Sequence, residues 1–259
     1  RVGIWLGSYT GTTGYNDLWT IEGNTFYESS PINLNLSNNN GTFTYDNFAI
    51  LIGHVSAGSI IPAYNEYGSF VIKNNTIGGN GSGGNWTATG TSSSNKVMGI
   101  YMASNGTSTT HSEIYGNTIG SYDVETQYFY GIFTYNYTRV KVGSSGGNSV
   151  SNVILKHPAA SGGSFGGIYI NTNSDYANEI KNNNVSNLSA ASGNRYTNFY
   201  GIYNYSSTTH PKDIIRSNVV TGIDASNADG ACGLYVQGYV TQNHVSKIKY
   251  SGTNPLYGL

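Results

Sequence analysis

Glu113-Ile114-Tyr115-Gly116-Asn117-Thr118-Ile119, followed a loop later by Gly131-Ile132-Phe133, decides how the whole chain is read. The first segment is an Ile-x-x-Asn-x-(Ile/Val) unit, and it recurs. Copies stand at Ile72/Asn75/Ile77, Ile114/Asn117/Ile119, Ile180/Asn183/Val185, Ile215/Asn218/Val220 and Val240/Asn243/Val245. An earlier copy closes on Phe, at Ile21/Asn24/Phe26, and one is stretched by Ser and Gly, at Val142/Asn148/Val150. The second segment, Gly-Ile-aromatic, falls between copies from Gly3, Gly99, Gly131, Gly167, Gly201 and Gly233, with degenerate versions from Ala49 and Pro255. The last five full versions open 32, 36, 34 and 32 residues apart. A fixed period of this length is the mark of a solenoid.

Each period reads as three short strands. Strand A is Gly-Ile-aromatic, strand B carries the Ile before the Asn, and strand C carries the Ile or Val after it. Side chains alternate along a strand, so Ile100 and Met102 point one way and Tyr101 the other. With the isoleucines inward, Asn24, Asn75, Asn117, Asn148, Asn183, Asn218 and Asn243 mark the bend between B and C. Asn suits a bend because it tolerates left-handed backbone and bonds its own turn. One turn of chain cannot bury its apolar side alone, so the turns are expected to stack around one continuous core.

These residues resemble the right-handed parallel β-helix of the pectate-lyase-like superfamily, and in style the repeats of large bacterial surface adhesins. The resemblance covers nearly the whole chain. It implies an all-β right-handed parallel β-helix of about seven coils, with three short strands each, long loops and an asparagine ladder at one bend. It also implies that the strand-A face lines any ligand groove. The fold itself carries lyases, hydrolases, tailspikes and adhesins, so it does not choose among them.

Composition agrees with the fold. The chain has 259 residues, 35 Gly and 23 Tyr, only 10% charged residues and a net charge of −1. Gly, Asn, Ser and Thr supply turns, while Tyr, Ile and Val supply strands. Near-neutral charge without a basic patch argues against nucleic acid as a partner. No apolar run reaches membrane-spanning length, so membrane insertion is not expected. The repeat runs from end to end, which gives one domain over residues 1–259. Because a strand A stands at Gly3 and another begins at Leu256, the reading expects a segment of a longer protein, with further β-structure at both ends. The one cysteine, Cys232, shares parity with inward Leu234 and reads as a small buried hydrophobe. Trp86, alone in a Gly/Ser/Thr-rich stretch from Gly78 to Lys96, either pins that loop to the solenoid wall or offers a ring for a sugar to stack on, with pinning the favoured reading. Phe129, Phe165 and Phe199 each stand two residues before a strand-A Gly and are expected to stack.

The outward row of strand A is Trp5, Leu51, Tyr101, Phe133, Tyr169, Tyr203, Tyr235 and Tyr257, with Tyr135, Asn171, Tyr205 and Gln237 one step further out. At a coil spacing of about 4.8 Å this is a nearly continuous aromatic ridge. It is either a carbohydrate platform, with Tyr101, Phe133, Tyr169, Tyr203, Tyr235, Tyr135 and Tyr205 as contacts, or a stack that serves strand pairing alone. No Asp or Glu falls in either row, and the thirteen acids are scattered. Glycosidases need two carboxyls about the scissile bond, and the resembling lyases cluster acids around calcium. No catalytic residue is therefore assigned. The five histidines show no metal-ligand spacing, and no metal or cofactor is implied. Glu113, Lys141 and Glu179 precede successive strand-B apolar positions and read as a charge column that fixes register. The function expected is a non-catalytic segment of a secreted, extracellular cell-surface adhesin or filament that binds carbohydrate or another surface protein. The alternatives are a polysaccharide lyase or glycoside hydrolase working along the strand-A face, and a tailspike-like receptor-binding protein.

Overall fold

The computed structural model describes residues 2–6, 19–33, 46–56, 59–61, 69–89, 96–103, 111–136, 139–156, 163–172, 177–190, 198–206, 212–252 and 256–257. Among these there is no helix. Three parallel sheets wind as a right-handed β-helix, each strand pairing with its equivalent one turn away. Sheet A has eight strands: Val2–Leu6, Asp46–Ile52, Lys96–Met102, Tyr128–Asn136, Ser164–Thr172, Asn198–Ser206, Ala231–Val236 and Leu256–Tyr257. Sheet B has seven: Thr20–Glu22, Val71–Lys73, Ser112–Tyr115, Val140–Val142, Glu179–Lys181, Ile214–Arg216 and Tyr239–Thr241. Sheet C has nine, its long members being Thr118–Val124, Ser149–Leu155, Asn184–Ala190, Val219–Ala225 and His244–Tyr250. An antiparallel hairpin, His54–Ser56 with Ser59–Ile61, branches off after the second strand of sheet A.

The isoleucines and valines of the repeat close on one another. Ile72, Ile114, Val142, Ile180 and Ile215 of sheet B, with Ile119, Val150, Val185 and Val220 of sheet C, are essentially sealed from solvent. Opposite them stand Ile100, Ile132, Ile168 and Ile202 of sheet A. The strand-A glycines have a different cause from turn glycines. A Cβ on Gly131 would lie 2.6 Å from both the Gly167 carbonyl and Val150 Cγ1, and one on Gly201 would lie 2.4 Å from Val220 Cγ1. Glycine is required because the sheet-A backbone passes directly over the sheet-C valines. Both Gly131 and Ile132 face inward, so the strand bulges and the alternation shifts by one residue.

That shift corrects the reading of Cys232. It is buried, but it registers with Tyr200, in the outer column of Phe48, Met98 and Tyr130. Its Sγ lies 2.9 Å from the Leu234 carbonyl, and burial pushes the thiol up to about 11. Tyr257 is corrected too. It pairs with Cys232, not Tyr235, which lays Leu256 over Ala231 in the column of Phe129, Phe165 and Phe199. Those three phenylalanines are fully buried and stacked, with centroids 5.3 and 4.3 Å apart.

Strand C differs from the short element expected. It runs past its first inward residue, bends at a left-handed position and continues, so part of what reads as loop is strand. The bend falls at Ser121, Asn152, Asn187, Gly222 and Lys247, with φ between 54° and 66°. Asn187 Nδ2 donates to Asn152 Oδ1 along this column. Trp86 opens a separate piece of the same sheet. It registers with Tyr122, stacks on it at 5.2 Å and is buried. The loop it was expected to anchor is therefore partly sheet.

At the B-to-C bend the seven asparagines form one hydrogen-bonded file. Asn75 Nδ2 donates to Asn117 Oδ1, Asn117 to Asn148, Asn148 to Asn183, Asn183 to Asn218 and Asn218 to Asn243, each at 2.9 Å. Asn24 opens the file, donating to Asn75 at 3.0 Å. From Asn75 onward each Oδ1 also receives the backbone N–H of the preceding asparagine, and each Nδ2 reaches a strand-B carbonyl one turn back, such as Asn117 to Ile72. The left-handed residue is the one before the asparagine: Gly23, Asn74, Gly116, Asn182, Ser217 and Gln242. The side-chain amide leaves no turn group for its neighbour to satisfy. Asn117→Ala would orphan the Asn75 N–H and the Ile72 carbonyl, at about 1–3 kcal/mol for each buried group. Chemical denaturation should show a loss of about 3 kcal/mol, and a smaller loss for Asn243→Ala in its half-buried rung.

Candidate ligand-binding face

Three parallel rows cover the outer side of sheet A. The middle row is the ridge. Its rings lie nearly coplanar in orientation: Tyr101–Phe133 at 5.3 Å and 7°, Phe133–Tyr169 at 5.1 Å and 1°, Tyr169–Tyr203 at 4.2 Å and 8°, Tyr203–Tyr235 at 5.0 Å and 7°. Stacking one ring per coil is what parallel in-register strands impose. It also consumes the ring faces. The ridge presents edges and hydroxyls to whatever approaches it.

The first row lies under the ridge as a second tier. Tyr130 meets Phe133 and Tyr169 edge-on, at 4.8 and 5.0 Å, and Tyr200 leans against Tyr203 and Tyr235. Gly166 stands between them, where a Cβ would come within 3.0 Å of the Tyr130 ring. Sequence alternation did not reveal this tier, because Tyr130 and Phe133 are three residues apart and share a face only through the bulge at Gly131.

The ridge is not uniformly open. Leu51 and Tyr101 are buried, at 0% and 5% exposure, in a cluster with Phe48, Met98, Ala103 and Tyr130. Tyr101 therefore offers no surface to a ligand. Phe133, Tyr169 and Tyr203 are half-buried, and Tyr235 is 40% exposed. Trp5 is exposed, and its Nε1–H donates to the Gly53 carbonyl at 2.9 Å.

The outermost row reads Tyr135, Asn171, Tyr205 in register. Tyr135 packs beside Phe133 at 6.0 Å and Tyr205 beside Tyr203 at 6.3 Å, both tilted about 30° from the ridge rings. Asn171 takes the position that a third ring would hold.

Burial pushes the phenols of Tyr130 and Tyr169 well above the usual range, and Tyr200 up to about 12. Burial also raises Tyr203, against a hydrogen bond shared with Tyr169. These four hydroxyls stay protonated across the physiological range and can donate hydrogen bonds. In the unfolded chain tyrosines ionise near pH 10. The folded state retains those protons to higher pH, so their stabilising contribution is whole below about pH 10. It is lost as pH climbs through about 12. Denaturant midpoints measured from pH 8 to 12 should hold level and then fall, and Tyr200→Phe should shallow the fall.

Apart from Asp46 and Lys96, in register one row before Phe48 and Met98, the charged residues lie elsewhere. Glu113, Lys141 and Glu179 are in register on sheet B. Lys141 reaches Glu179 at 3.9 Å, whereas Glu113 is held by His111 and Ser145. Burial works against charge on Glu179, but Lys181 and Lys141 hold its carboxyl below the usual carboxylate range. Asp123 and Asp224 pair with Lys156 and Lys249 on sheet C. Among the described residues no group of three or more His, Cys, Asp or Glu is placed to hold a metal ion. The side chain of His54, with His157 and His210, lies outside the described residues.

The A-to-B corner holds a polar file that the sequence reading missed. Ser112, Asn178 and Asp213 each stand two residues before a strand-B isoleucine. Each accepts a backbone N–H from the previous coil, of Phe70, Val140 and Asn178 respectively. Buried Asp213 also accepts from Asn204 Nδ2 at 2.8 Å. A polar residue two before Ile114, Ile180 and Ile215 was the available signal. Comparison of the chain with protein-family models, with curated proteins and with solved structures found no match.

Proposed function

We propose that this chain is a non-catalytic binding rod of a secreted cell-surface protein, and that its sheet-A face holds neutral carbohydrate. One observation carries the reading: the row Tyr135–Asn171–Tyr205 set beside the unbroken ridge Phe133–Tyr169–Tyr203. From Tyr101 to Tyr235 the ridge has a ring in every coil. The outer row lacks its middle ring, so two tyrosines stand two coils apart, about 10 Å, with an amide as the floor between them. A pyranose ring has apolar C–H faces and a polar rim. Its faces suit the two phenol walls, and its hydroxyls suit an amide that donates and accepts at once. Absence of charge from all three described rows favours a neutral sugar over an anionic one. Sheet B, with its Glu and Lys columns, provides a solvated side on the same rod.

Asn171→Tyr tests this directly, because it completes the outer row and fills the slot. Affinity electrophoresis against immobilised neutral polysaccharides should show retention of the wild-type chain. Retention should weaken about tenfold in Asn171→Tyr and in Tyr205→Ala, the loss expected for one stacking partner with its hydrogen bonds. Equal retention of both variants would remove the slot from the reading. Release of unsaturated or reducing products by the wild-type chain would replace it with a catalytic one.

A further inference from the structure

We propose a second binding site, for a single neutral sugar ring or comparable uncharged polyol, in the cleft where the first coils turn from sheet C into sheet A. The cleft has a volume of about 500 Å³ and is lined by Phe26, Tyr27, Glu28, Asn47, Phe48 and Trp86, among others. None of the residues of the outer slot lines it.

The cleft exists because a packing column changes composition. At the C-to-A corner, residues in register run Asn47, Val97, Phe129, Phe165, Phe199. Three stacked phenyl rings fill the later coils. Val97 and then Asn47 replace them in the earlier coils, so the side chains filling the corner become smaller. What remains is a hollow lined by four aromatic residues and a buried amide, 6% exposed, where the later coils have phenylalanine.

Trp86 identifies what the hollow takes. It is 7% exposed, and its indole Nε1–H has no hydrogen-bond partner within the protein. A buried donor left unmade is costly, so the occupant should bring an acceptor. An organic cation suits aromatic walls and the Glu28 carboxylate, but its charged head cannot accept from the indole. An anion accepts but meets Glu28. An alkyl chain fits the rings and leaves both the indole N–H and the Asn47 amide without partners. A neutral polyhydroxylated ring meets every condition: C–H faces for the rings, oxygen for the indole, hydroxyls for the amide and the carboxylate. The volume falls in the range of small-molecule sites, about 300–1,000 Å³.

The chain has three tryptophans, and Trp5 and Trp19 are exposed at 41% and 50%, so a Trp5→Phe/Trp19→Phe background isolates Trp86 fluorescence. Titration with glucose, galactose, mannose and N-acetylglucosamine, and with choline and acetate as cation and anion, should give a saturable change with at least one sugar. Asn47→Phe, which extends the phenyl column into the hollow, should weaken that response at least tenfold. Exposed Tyr27→Ala, a variant that spares the core, should weaken it several-fold, and Asn171→Tyr should leave it unchanged. A response to choline or acetate alone, no response to any sugar, or an unaltered response in both Asn47→Phe and Tyr27→Ala would overturn the proposal. Because Asn171→Tyr reports on the outer slot and Asn47→Phe on this cleft, failure of either site is separable from failure of the other.

Discussion

The asparagine file is the constraint on which the rest depends. Each carboxamide bonds the one in the next coil, the backbone N–H beside it and a strand-B carbonyl. A turn of chain that slipped by one residue would lose all three at a buried position. Hydrophobic packing alone forbids a one-residue slip but tolerates one of two residues, which keeps the apolar side chains facing in. Amide geometry tolerates neither. The file therefore converts a generic apolar stack into one with a single register.

Register at that bend is what aligns the opposite side of the rod. The coils vary in length, yet Phe133, Tyr169, Tyr203 and Tyr235 overlie one another within a few degrees of parallel. Variation is absorbed between the fixed points: by extra Ser and Gly before Asn148, and by the different lengths of chain between strands. Glycine at the strand-A bulge completes the arrangement, because it lets sheet A settle onto the sheet-C valines. A side chain there would lift the aromatic rows off the core.

The fold was legible because its two strongest signals are local. Asn at a fixed offset from Ile, and Gly-Ile-aromatic between copies, can be counted without knowing what touches what. The losses came where alternation breaks. The bulge at Gly131 moves Tyr130 and Cys232 to the outer side, and the left-handed residue within strand C hides half of that strand as apparent loop. Burial of Leu51 and Tyr101 was also out of reach, since their positions in the repeat equal those of half-exposed Phe133 and Tyr169. The second polar file, Ser112, Asn178 and Asp213, uses three different residue types for one task, which defeats a search for repetition. The Tyr135–Asn171–Tyr205 residues were visible in the sequence, but the value of Asn as a missing ring emerges only once the neighbouring stack is known to be continuous.

The asparagine file also has a direction. Each amide from Asn75 to Asn218 gives one proton to the amide of the next coil and the other to a strand-B carbonyl of the coil before, so the amide-to-amide bonds all run one way along the axis. Hydrogen bonds in such a series polarise one another. A disturbance at one rung is therefore an electrical event for its neighbours as well as a steric one. The rod is a polar filament in the physical sense, with its two axial directions chemically distinct although its rungs look alike.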